Sequence, residues 1–196
     1  PHDIKRKITP RTKAIIAVHW AGYPCDLEAI NAIAGPHGIK VIEDAAHAFG
    51  AEYKGRKIGN HSDFICFSFQ AIKHMTTVDG GLLVCKDAED YRRGKLLRWY
   101  GLDREGNKKD YRCEQDIEEY GYKFHMNDVN ATIGIEQLNY VDNNLSVHMD
   151  NGKYYMAALN NLRSISLLDY QSDRQSAFWI FTLKVDNRDL FIETMS

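Results

Sequence analysis

The chain has 196 residues, 44% hydrophobic and 27% charged, with a formal net charge of −2. That balance describes a chain long enough to bury a sizeable core, and it excludes a disordered or fibrous polypeptide. It also argues against nucleic acid as the main partner, because phosphate binding calls for a net basic face.

The opening PHDIKRKITPRTK has no apolar stretch of the kind a signal peptide needs, and no run approaches the roughly 20 apolar residues of a membrane span. A cytoplasmic protein without a membrane partner is the expectation. KAIIAVHW (13–20) reads as a buried strand that ends in the turn-rich AGYPCD. Asp26 is placed to cap a helix over LEAINAIAGPHG, where Leu27, Ile30 and Ile33 recur at helical spacing and Gly35-Pro36 stops the run. In IKVIEDAAHAFGA, Val41 and Ile42 form a second strand whose carboxyl end is Glu43-Asp44. Strand, helix, strand is a βαβ unit.

Further strands are expected near 64–69 and 82–86, the second entered through Gly80-Gly81. AEDYRRGKLLRWYGL reads as an amphipathic helix, its basic residues a solvated face, and the polar segment 104–116 as a flexible loop bordering a site. A single long helical run is expected from Asn127 to Leu162, with Val129, Ile133, Leu138, Val141 and Leu145 on its apolar stripe. AFWIFTLKVDNRDLFIETMS reads as a strand, a turn at Asp186-Asn187 and the start of a helix. An element cut short there, and a central strand entered with nothing before it, suggest a fold incomplete at both ends. Cys25, Cys66, Cys85 and Cys113 are far apart and form no Cys-x-x-Cys pair, so they read as reduced thiols and no metal site is expected.

Ligands of open α/β sheets sit beyond the carboxyl ends of the strands. Asp44 with His47, Ser68 and Lys73 all fall at such ends. Together they suit pyridoxal 5'-phosphate, which needs a lysine amine, a carboxylate at its ring nitrogen and donors around its phosphate. Taken singly, each also has a plain structural reading: a snorkelling lysine, a helix-capping aspartate, a packed histidine.

The stretch VIEDAAHAFGAEYKGRKIGNHSDFICFSFQAIKHMTTVDGGLLVCKD resembles the core of the DegT/DnrJ/EryC1/StrS sugar aminotransferases. The likeness extends upstream through TPRTKAIIAVHWAGYPCDLEAI and downstream through GYKFHMNDVNATIGIEQL, which is similar to the family's Gly-Tyr-Asn-x-Arg-Met-x-Asp stretch. The resemblance implies an α/β protein of the aspartate-aminotransferase-like fold type I, with a mixed, mostly parallel sheet flanked by helices. Residues 1–126 would form part of the large cofactor-binding domain, 127–162 the connecting helical region and 163–196 the start of the small C-terminal domain.

The resemblance also implies roles. Lys73 would form the Schiff base with the cofactor and act as the catalytic base, Asp44 would pair with the pyridine nitrogen, His47 would face the phenolic oxygen and Ser68 the phosphate. Lys123 stands where the family has an Asn that reaches the cofactor phosphate of a neighbouring subunit; Gln70, Val78-Asp79 and His125 are further departures from the common pattern. The implied reaction is amination of a nucleotide-linked keto sugar, with glutamate as the amino donor and a homodimer as the working form. A dehydratase is an alternative, since some relatives carry histidine at the lysine position; here Lys73 aligns and His74 follows it. A non-catalytic remnant serving as scaffold or dimerisation module is the other alternative, because the family's phosphate cradle and ring-stacking aromatic fall outside this sequence.

Overall fold

The computed structural model describes residues 1–106 and 116–196. Most of the expected 104–116 loop, with Cys113, lies outside the described residues. The chain enters through helix α1 (His2–Lys7), acidic in its first turn and basic in its last, as the helix dipole favours. Strand β1 (Ala14–Val18) leads through a tight corner at Trp20–Gly22 into helix α2 (Leu27–Ala34). Asp26 caps α2 by accepting the Ala29 backbone N–H at 3.1 Å, and Leu27, Ile30 and Ala34 make its buried stripe. Strand β2 (Lys40–Asp44) then pairs parallel with β1, setting Ile16 opposite Ile42 and Val18 opposite Asp44.

A small hairpin of β3 (Glu52–Tyr53) and β4 (Arg56–Lys57) precedes β5 (Phe64–Ser68), which lies parallel to β2. Strand β6 (Gly81–Cys85) returns antiparallel to β5, giving the sheet order β1-β2-β5-β6, and helix α3 (Ala88–Leu97) follows under an Asp87 cap. This is the mixed, mostly parallel sheet that the resemblance implies.

The helical run expected from 127 to 162 is instead two helices, α4 (Asp128–Leu138) and α5 (Val141–Leu159). Tyr140, with φ at −113°, stands at the junction between them. The apolar stripe divides there too: Val141 and Leu145 join the core, while Val129 and Leu138 remain largely exposed. Strand β7 (Ile165–Leu167) pairs with β9 (Leu183–Val185), whereas β8 (Arg174–Gln175) between them reaches back to β3. Ala177 to Phe181, read from the sequence as part of the last strand, lie outside it, and helix α6 (Arg188–Met195) closes the chain under an Asn187 cap.

Alternation along the strands gives the four-stranded sheet two faces. Ala17, Val41, Glu43, Ile65 and Phe67 are buried on one, sharing a core with the α2 stripe and with Val141 and Leu145 of α5. Ile16, Val18, Cys66 and Leu83 lie on the other and are exposed. On the sealed side His19 and Glu43 are fully buried together. The Cys25 backbone N–H donates to His19 Nδ1 at 3.1 Å, which leaves Nε2 to donate to Glu43 Oε2 at 2.9 Å.

Candidate active site

Asp44 is the last residue of β2 and Ser68 the last of β5, and because these strands are parallel both residues stand at the same edge. Asp44 pairs in register with Cys66, so Ser68, two positions on, shares its face. Asp44 Oδ1 accepts the Ala46 N–H at 3.1 Å. Ser68 Oγ accepts the Gln70 N–H at 3.3 Å and keeps its own proton to donate.

Lys73 rides on a loop closed at its base by two backbone bonds, Thr77 N–H to Phe69 O and Phe69 N–H to Gly80 O, both 2.9 Å. From α4, Asn130 Nδ2 donates to Asp79 O at 2.8 Å and braces the far side of the turn. Val78 sits there at φ +69°, a conformation that a β-branched residue adopts only under strain. Half-buried Lys73 places Nζ 3.9 Å from the ring centre of Trp179. Burial pulls its amine pKa below the ordinary value, against the opposing charge of Asp44. An amine so placed spends more of its time unprotonated than a solvated lysine does.

His47 completes the group. The Ala21 N–H donates to its Nδ1 at 3.3 Å, so the neutral ring carries its proton on Nε2. Burial and then the charge of Lys73 hold its pKa below the usual value, with Asp44 pulling the other way. Its ring stacks on Trp179 at 4.0 Å and 21°, and Trp20 meets it edge-on at 5.3 Å. This close assembly depends on Gly22 at φ +91°: a Cβ there would stand 2.9 Å from His47 O and 3.0 Å from Phe178 N.

Asp44, His47 and Lys73 therefore lie within electrostatic reach of one another, with Ser68 on the neighbouring strand end. Lys123 is exposed and forms a β-bridge with Trp99 beyond α3. Trp179 was not among the residues singled out from sequence, although the aromatic density of AFWIF was a signal for it. The donor set fits pyridoxal phosphate: a carboxylate, an imidazole N–H, a hydroxyl and an amine of lowered basicity, each with a complementary group on that molecule.

The mixed sheet of mostly parallel strands flanked by helices is the fold of the type I pyridoxal-phosphate enzymes. The chain belongs to the DegT/DnrJ/EryC1/StrS aminotransferase family, which it matches over residues 1–196. Its fold superposes on AtS13 from Actinomadura melliaura with a TM-score of 0.93 and 42% identity, covering 99% of this chain and 53% of that one. Against the sugar aminotransferase CalS13 from Micromonospora echinospora the TM-score is also 0.93, at 35% identity over 99% of this chain and 54% of the other. A Methanocaldococcus jannaschii protein described as uncharacterized protein MJ1066 is 38% identical over 98% of this chain and 52% of its own length. The chain spans about half the length of the relatives it matches.

Proposed function

We propose that this chain is the lysine-bearing part of a cytoplasmic, homodimeric aminotransferase that uses pyridoxal phosphate to move an amino group from glutamate to a nucleotide-linked keto sugar. The observation that carries the reading is the meeting of Lys73, Asp44 and His47 at one sheet edge, with burial lowering the basicity of the lysine. Bound there, the cofactor would supply an electron sink and a temporary seat for the amino group.

The protein's part is positioning and proton transfer. The Asp44 carboxylate would stabilise a protonated ring nitrogen, His47 Nε2–H would donate to a ring oxygen and Ser68 Oγ–H to a phosphate oxygen. The Lys73 amine, unprotonated for part of each cycle, would take a proton from the carbon that bears the amino group and later return one. Lys123, exposed beside Trp99, would suit the phosphate of a neighbouring subunit as a point charge.

Incubation with pyridoxal phosphate, borohydride reduction and peptide mapping test the assignment. The label is expected on Lys73, and Lys73→Ala is expected to lose the visible chromophore and to cut turnover by about 1,000-fold. A chromophore that persists in Lys73→Ala would show that another lysine carries the chemistry. A chain that never labels supports the scaffold reading instead.

A further inference from the structure

Residues 177–179 cross the lysine loop and tie to it on both sides of Lys73. The indole Nε1–H of Trp179 donates to Ile72 O at 3.1 Å, and His74 Nε2–H donates to Ala177 O at 3.0 Å. Between these two anchors Lys73 lays Nζ over the Trp179 ring, and the same indole stacks on His47. His148 of α5 adds a third tie, its Nδ1 to Phe178 O at 3.2 Å, and its ring meets His74 edge-on at 4.7 Å.

The backbone is held here against its own preference. Phe178 has φ at +48°, and its ring lies against α5 where a Cβ on Gly152 would come within 2.4 Å of it. A segment kept in such a conformation is over-determined by its surroundings, and what it presents to the site is one indole.

We propose that Trp179 is a positioning residue for amine transfer: its indole holds the Lys73 amine and sets the plane of His47, so that both groups face the reacting centre in register. The inference rests on the aminotransferase reading above. An amine must be free of bonds for part of each cycle, and a flexible four-carbon side chain in solvent would then wander from its reacting carbon. A ring face about 4 Å away, itself locked by its own N–H, gives it one resting place. An aromatic residue that only filled space would need neither the bond to Ile72 O nor the stack on His47.

The test uses the full chain, with pyridoxal phosphate and L-glutamate as probes and absorbance as the readout of the half-reaction. Trp179→Leu is expected to lower the maximal rate about 30-fold while the half-saturating glutamate concentration moves less than about threefold, since a misplaced amine costs rate rather than ground-state binding. Trp179→Phe, which keeps an aromatic face but lacks the N–H bonded to Ile72 O, is expected to recover only part of the rate. In cofactor-free protein, where no turnover is needed, Lys73→Met should change the indole emission of the wild-type chain and leave that of Trp179→Phe unchanged. A Trp179→Leu protein that turns over like wild type, or an emission change that persists without Trp179, overturns the inference and leaves the aminotransferase reading standing. A Lys73→Ala protein that keeps its chromophore overturns both.

Discussion

The two faces of the β1-β2-β5-β6 sheet are made by the same strands, and neighbouring residues divide between them. Glu43 turns inward, fully buried and bonded to His19, while Asp44 turns outward to the group around Lys73. The sealed side is mostly apolar around that pair, and it shares its core with α2 and α5. The open side carries exposed Ile16, Val18 and Leu83 together with Asp44 and Ser68. One strand therefore sends alternate residues into the core and those in between to the proposed site.

If the sealed face carries the stability, the largest effect belongs to its polar pair. His19→Leu leaves the Glu43 carboxylate buried without its donor, and it should cost about 4 kcal/mol in urea unfolding. A cost below about 1 kcal/mol would mean that the pair is not desolvated as the packing shows.

The second prediction concerns the latch between the lysine loop and residues 177–179. Burial, followed by the nearby His148, lowers the pKa of His74 from 6.5 to about 4. The unfolded chain takes up this proton first, so the contribution is present above pH 6.5 and is lost as pH falls toward 4. The loss should be about 3 kcal/mol, read as the difference in pH dependence between wild type and His74→Gln. Parallel profiles for the two proteins would remove His74 from the account.

On the open side the expected effects are smaller. Val78→Gly relieves a left-handed β-branched residue and should stabilise by about 1 kcal/mol in thermal unfolding. Ile16→Thr, at a position 66% exposed, should change stability by less than about 0.5 kcal/mol. A cost of about 2 kcal/mol for Ile16→Thr would sharpen the comparison differently, by showing that this face is covered in the working protein.

Local signals in the sequence carried much of this. The Asp26 cap, the α2 stripe and the βαβ order follow from spacing and turn residues, and the strand-end rule points to Asp44, Ser68 and Lys73. Contacts between distant segments were less legible. Helical periodicity runs through Asn139-Tyr140 without a Gly or Pro to mark the break between α4 and α5. Nothing in AFWIF distinguishes a strand from an extended segment whose Phe178 is held at positive φ, because the residues that hold it, Gly22, His148 and Gly152, are remote in sequence. Trp179 escaped notice for the same reason. Its partners are residues 47, 72 and 73, more than a hundred positions away.

Gly22 extends that point to how the chain can drift over generations. Three stretches meet at this residue by backbone alone, the corner after β1, the carbonyl of His47 and the amides of Phe178 and Trp179. Side chains around such a crossing can be exchanged as long as volume and polarity are kept. The crossing itself has room for no methyl group, so a one-carbon insertion at position 22 would part the lysine side of the site from its tryptophan wall while every other residue stayed the same.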